Sequence, residues 1–582
     1  MKKKPFYTFL ATAVFATALV ACNGGDSETG TDGEEGEGGG EAVEGGSITL
    51  GMTSTPENQF NPIIYSSVYD NNIITFVNEG LTTQNSELEF EPGLASEWEF
   101  SDDMLELTYH LEEGVTWHDG EPFTADDVVF TFTSIADPGY TSTGATRHSY
   151  ASSLVGYEEY SSGESDTFEG VEAIDEHTVR FYFKEPNVKA LADTAIGIFP
   201  QHKFEGVAVE DFPNHAASTD AGEVIGTGPF KLQSVLENES YELVANEDYW
   251  KGAPELDAIT WRVVDASVAA GMLEQGELDF MPNYFPAADY DQVDAVETLS
   301  INEQPALGYQ HMSLKMNHGP NDDLINPDAW TPNEKFEDVR FREAIFSAVD
   351  RQLFIDSFLR GHGEMLDAPF AEASWVYDPE GVEGFTYDPE HSKALLEEAG
   401  YEDTDGDGFV EDPDGNELVL NIDYPLGNPV RERVAPVVAE QLAEVGINTN
   451  VRNPMEAGVY FDNIQNNEDE DLDIYLAGWS LGSGDPDPGD LYRSTAMFNY
   501  TRFQSEEQDQ LLLEAVDPDQ AFDNQEFRQE KYMEWAQLFI DNSYVLPLYA
   551  ESEISVYNSR LQGVEFLPHT YTNDTHLWYV TE

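Results

Sequence analysis

A single cysteine, Cys22, stands in the 582 residues, so neither an intrachain disulfide nor a cysteine-based zinc cluster can form. Positive charge is equally scarce: 26 Lys and Arg face 114 Asp and Glu, giving a formal net charge of −88. Such a surface repels phosphate backbones and anionic membranes, which excludes nucleic acid as a partner. Beyond the N-terminal stretch no apolar run is long enough to span a bilayer. There is no His-Glu-x-x-His and no Walker loop, and Gly226-Thr227-Gly228 lacks the third glycine of a dinucleotide fingerprint, so it reads as a turn. Apolar and aromatic residues are plentiful, at 40% and 12% of the chain. That is material for several lobes with large buried cores and excludes a small stapled scaffold.

The N-terminus reads as an export signal. Lys2, Lys3 and Lys4 form a basic start, and Phe6 to Ala21 is apolar or small but short for a membrane span. The run ends in Leu19-Val20-Ala21-Cys22, which resembles the lipobox of bacterial lipoproteins, where the thiol is acylated and the bond before it is cut. Residues 1–21 are therefore expected to be a lipoprotein signal peptide. Residues 22–46, nearly all Gly, Glu, Asp, Thr and Ser, have too little apolar surface to offset the entropy of ordering and are expected to be a solvated tether. Acyl chains, a leash and a globular body describe a protein held outside a membrane without crossing it. The acids continue through the whole body, a density that suits high salt or alkaline water, where counterions screen self-repulsion.

Alternation predicts strands at Leu105 to Leu111 and Thr178 to Phe183. Asp388-Pro389 offers an N-cap and a first-turn proline for a helix carrying Leu395, Leu396 and Ala399 and stopped by Gly400. Asn428-Pro429 opens another that Pro436 should bend, followed by a short strand over Ile447 to Val451. Helices and strands alternate as in mixed α/β lobes.

Several stretches, in order, carry a resemblance. They are Glu91 to Trp98, Gly114-Val115-Thr116-Trp117-His118-Asp119-Gly120, Thr124 to Phe130, Gly226 to Leu232, and Asp248-Tyr249-Trp250-Lys251-Gly252-Ala253-Pro254. Glu337 to Arg351, Tyr387 to Tyr401, Gly478-Trp479 and Leu546-Pro547-Leu548-Tyr549 follow. Together they resemble the oligopeptide, dipeptide and nickel type (family 5) solute-binding proteins of ABC importers. The resemblance implies an α/β, two-lobed, periplasmic-binding-protein-like clamshell of class II with an extra subdomain in its first lobe. By matching positions, lobe 1 would be 47–305, with the subdomain at about 87–220, lobe 2 would be 306–548, and 549–582 would return to lobe 1. The implied function is capture of short peptides and delivery to a permease and its ATPase, by a lipid-anchored monomer on the outer face of the plasma membrane, or in the periplasm if an outer membrane exists. Nickel chelates, oligosaccharides and other solutes are also carried by the family. A secreted hydrolase, the rival from another class, would need a convergent nucleophile or metal site, and His118 beside Asp119 would be its member to test.

Two stretches carry candidate ligands. In peptide-binding relatives an aspartate three positions after the tryptophan of Gly478-Trp479 pairs with the peptide's α-ammonium. Here that position is Gly482, so the expected contacts are Trp479 as a cleft wall and Asp485 or Asp487 as the anchor, unless the anchor is absent. No cofactor for transport is implied. Asp403, Asp405 and Asp407 occupy positions 1, 3 and 5 of a calcium-loop spacing, Phe409 would offer a carbonyl at 7, and Asp414 stands at 12 in place of the usual glutamate. A structural Ca²⁺ and a solvated acidic turn are the alternatives there. The anchoring expectation is testable at once: Cys22→Ser should release the protein from membranes or leave its precursor unprocessed, and unchanged membrane retention with lipid labelling in that variant would contradict it.

Overall fold

A computed structural model describes residues 42–283, 285–319, 325–466, 471–522 and 524–582; the signal peptide, Cys22 and most of the expected tether lie outside them. Strands and helices alternate along the chain, and twelve strands join one mixed sheet. Its axis is the fourteen-residue strand Val545–Asn558. Along its first part this strand pairs antiparallel with Gly308–Leu314, Val545 opposite Ser313 and Tyr549 opposite Gln310. Along its second part it pairs with Leu299–Pro305, Ser552 opposite Pro305 and Asn558 opposite Leu299. Outward from Gly308–Leu314 lie Ile474–Ser480, Leu420–Asp423 and Thr449–Val451. On the other side Phe280–Met281 leads to Ser47–Met52, Ala258–Val263, Ser240–Ala245 and Phe230–Leu236. The sheet thus has two wings that share one strand, and each wing packs its own core. Met312, Phe354, Trp535 and Leu546 belong to one core, and Leu50, Phe76, Trp261 and Trp578 to the other.

A separate four-stranded antiparallel sheet, Ala95–Phe100, Glu106–Leu111, Thr178–Tyr182 and Val171–Asp175, carries the two strands predicted by alternation as direct neighbours. It packs with the helix Ala125–Ala136 around Trp117, Phe132 and Phe181. Asp127 explains why Trp117 and the Thr124-Ala125-Asp126-Asp127 stretch occur together. Its buried carboxylate accepts N–H groups from Thr124 at 3.0 Å, Trp117 at 3.3 Å and Gln201 at 2.9 Å, tying loop, helix start and a distant segment to one group.

The predicted helices form where their caps place them. Pro389–Ala399 is opened by Asp388, whose carboxylate accepts from the N–H of Glu390 and His391, and closed by Gly400 at φ 88°. The helix Pro429–Glu444 begins on Asn428 and continues past Pro436. Arg351, in the Val349-Asp350-Arg351 stretch, is buried and donates to the carbonyls of Leu366, Pro547 and Phe385 and to Asp367, so it fastens a helix to the central strand.

Candidate functional site

Between the two wings lies a cavity of about 980 Å³, at the upper end of the usual range for small-ligand sites. Tyr65, Gln84 and Arg147 line one side, and Gln310, Arg431 and Trp479 the other. Its floor is the central strand, where Glu551 and Glu553 share one face because side chains two apart in a strand point the same way.

The wall around Glu79 shows how the sequence stretches build the site. Glu79 follows the helix Val68–Val77, and its carboxylate accepts from Tyr249 Oη at 2.8 Å, Trp250 Nε1 at 2.9 Å and Thr227 Oγ1 at 2.9 Å. Burial raises its pKa above the usual glutamate value, against those donors. Two of the resemblance-bearing stretches therefore converge on one carboxylate. The Gly226-Thr227-Gly228 turn must lie flat on the end of that helix: a Cβ on Gly226 would stand 1.9 Å from the Val77 carbonyl oxygen. His118 clamps the same turn. Its Nδ1 accepts the Gly226 N–H at 3.2 Å, which leaves Nε2 to donate to the Gly228 carbonyl at 2.9 Å. Burial lowers its pKa to about 4, so the ring is neutral and both nitrogens are engaged. Asp119 faces His202 at 2.9 Å, and no bond joins it to His118. The stretch Gly478 to Gly482 matches Gly-x-Ser-x-Gly, yet Ser480 ends a strand with no helix after it until Gly489 and, among the described residues, bonds no histidine.

Trp479 lines the cavity as expected from the sequence, stacked on His311 with ring centroids 6.2 Å apart and tilted on Tyr500 at 5.2 Å. Asp485 and Asp487 are placed differently from that expectation, since neither lines the cavity. Asp485 is gripped by both terminal nitrogens of Arg528, at 2.7 and 2.6 Å. Asp487 meets Lys189 at 3.3 Å and is nearly inaccessible, with 4% of its side chain exposed. Gly482 is in the lining, and a Cβ there would meet nothing closer than 3.7 Å, so the position expected from the resemblance to hold an anchoring aspartate has room for a side chain but carries none. At the acidic loop, ligand oxygens of Asp403, Asp405 and Asp407 lie within 4.8 Å of one another, with Asp414 outside that group. The three carboxylates also accept backbone N–H groups of their own loop, Asp403 from Gly406 and Gly408, Asp405 from Asp407 and Asp407 from Phe409.

Residues the sequence reading missed are Glu79, Gln84, Lys189, Arg431, Glu551 and Glu553. A signal for the last two was present: acids two apart in a strand-like stretch, shortly after Leu546-Pro547-Leu548-Tyr549. Gln84 lines the cavity, and Lys189 lies three residues before the lining residue Ala192. Gln84 Nε2 donates to the Ser483 carbonyl at 2.5 Å, the Lys189–Asp487 pair lies nearby, and Phe100 meets Phe522 edge-on at 5.0 Å.

The model described as bacterial extracellular solute-binding proteins, family 5 Middle, matches residues 89–496. The chain belongs to this family. Among family 5 relatives, it is 27% identical over 575 residues to the oligopeptide-binding protein AppA of Bacillus subtilis, covering 98% of this chain and 97% of that one. It is 28% identical over 456 residues to the dipeptide-binding protein of Escherichia coli, covering 74% and 76%. The structure of Bacillus subtilis AppA in complex with a nonapeptide superposes with a TM-score of 0.70 at 26% identity, covering 93% of this chain and all of that one. The mixed α/β, two-lobed clamshell expected from the sequence is the fold, and the role of the family is binding.

Lys189 and Asp487, 298 residues apart, join the segment that carries the lining residue Ala192 to the one that carries Gly484, so on a clamshell motion the pair would form only in the closed state. Burial opposes the ammonium, but Asp487, Asp490 and Asp193 outweigh it and hold Lys189 above its usual pKa. With Lys189 partly exposed, Asp487→Asn should cost the closed state about 1–2 kcal/mol, between the values for surface and buried pairs. Ligand affinity should fall about 5- to 30-fold, equally for charged and uncharged ligands, and the exchange Lys189→Asp with Asp487→Lys should restore part of it. An unchanged affinity in Asp487→Asn would contradict a role in closure.

Proposed function

We propose that the protein captures short peptides between its lobes and hands them to an ABC permease driven by a separate ATPase. The observation that carries this reading is the cavity walled by both wings of a sheet whose shared strand forms its floor, in a family 5 chain whose relatives include oligopeptide- and dipeptide-binding proteins. An extended peptide can be held there through its backbone, independent of side chains, while a roomy hydrated cavity tolerates varied side chains. The moving bodies on this reading are 47–305 with 549–582, and 306–548, with 87–220 as a subdomain of the first. Support comes from the change of pairing partner along the central strand, from Gly308–Leu314 to Leu299–Pro305. Acylation at Cys22 and the acidic tether would keep a monomeric, non-enzymatic receptor near its permease. His118 fits this reading, because it braces a turn.

Calorimetry with purified, ligand-stripped protein and a set of short peptides is the direct test. Binding of peptides of unrelated sequence, with a negative heat-capacity change from closure over apolar surface, is expected. Binding of a sugar or a nickel chelate with no response to peptides would overturn the reading.

A further inference from the structure

Charge in the cavity is unevenly compensated. Of its lining groups, Glu79 is satisfied by three donors, and Asp574 stands 3.8 Å from Lys251. Arg147 donates to the Tyr65 carbonyl and lies 3.8 Å over its ring, and Arg431 donates to Gln310 Oε1 at 2.7 Å. Glu551 and Glu553 are the exceptions. Among the described residues neither carboxylate makes a hydrogen bond or an ion pair, and Oε1 of Glu551 is buried without a partner. A buried carboxylate left unpaired is costly, more so than a neutral polar group. Burial alone pushes Glu553 up to about 7, and burial raises Glu551 despite the neighbouring Arg431.

The two glutamates sit where the central strand passes from one wing to the other, paired by backbone with Gly363 and Gln304. When the cleft is open, water solvates them. When it closes, they lose part of that water and gain no hydrogen bond or ion pair among the described residues, only the longer-range attraction of Arg431 for Glu551, so closure over an empty cavity is disfavoured. A ligand that brings positive charge to this face favours the closed state over the open one, which is the differential affinity that ligand-driven closure requires. The positions used by the expected anchors are occupied otherwise, Asp485 by Arg528 and Asp487 by Lys189, and Gly482 carries no side chain.

We propose that Glu551 and Glu553 receive a protonated nitrogen of the bound peptide, either its α-ammonium or the side chain of a lysine or arginine residue. This rests on the peptide reading above and adds to it a preference for cationic ligands and the residues that set it. The pair acts as a detector of positive charge at the floor of the cleft.

The test uses full-length protein and four versions of one short alanine-leucine peptide: free amine, N-acetylated, N-acetylated with one lysine, and N-acetylated with one glutamate. With wild type, the free amine or the acetylated lysine peptide should bind about tenfold or more tightly than the acetylated neutral one, from the desolvated pair it can form. Which of the two does so identifies the source of the charge, and the glutamate peptide should bind most weakly. In Glu551→Gln with Glu553→Gln this ratio should fall to about one, whereas in Asp487→Asn it should persist although every affinity drops. Equal binding of charged and neutral peptides by wild type overturns the proposal while leaving peptide capture standing. So does a ratio that survives in the glutamine variant or collapses in Asp487→Asn. If no version binds wild type, the peptide reading itself fails and the proposal falls with it.

Discussion

One strand holds the molecule together and also lets it move. Val545–Asn558 is hydrogen-bonded on one part of its length to the wing that contains Trp479 and on the other to the wing that contains Glu79. Each wing has its own apolar core, so rotating one against the other leaves both cores packed and bends only the shared strand and its neighbour at 305–308. A cavity whose floor is this strand is open or closed according to that bend. Residues on the floor consequently sense closure, and Gln84 and Lys189 meet Ser483 and Asp487 across from them.

The buried charges are arranged with the same economy. With so few cations in the chain, those that enter the interior are placed where they fasten distant segments. Arg351 binds carbonyls from three segments. Arg528 holds Asp485, and the side-chain nitrogen of Lys315, fully buried, donates to the carbonyls of Ile464 at 3.0 Å and Tyr500 at 2.7 Å. Removing one partner of such a contact strands the other in a low-dielectric interior, which makes these contacts devices of specificity more than of net stability. Against that background two glutamates at the centre of the binding cavity stand out: among the described residues neither makes a hydrogen bond or an ion pair, although Arg431 lines the same cavity.

Local signals were readable in the sequence and distant pairings were not. The caps at Asp388, Gly400 and Asn428 act within a few residues, so composition alone located those helices, and alternation located Glu106–Leu111 and Thr178–Tyr182. Trp479 was placed in the cleft through the resemblance. The anchors were misjudged because Asp485 and Asp487 lie close to Trp479 in sequence, while their partners Arg528 and Lys189 are 43 and 298 residues away. His118 beside Asp119 invited a catalytic reading for the same reason. Its hydrogen bonds go instead to Gly226 and Gly228, 108 and 110 residues on. Charge density said that the surface was acidic but could not say which acids lacked a counterpart, since that depends on which side chains fold together.

The central claim is that ligand closes two lobes about the shared strand. Small-angle X-ray scattering of the ligand-stripped protein, titrated with a short free-amine peptide at constant salt, tests it most directly. The account predicts that the radius of gyration falls as peptide is added and levels off at the stoichiometry of one site. A radius that stays constant while calorimetry records binding would show that peptide is held without closure, and would contradict the account.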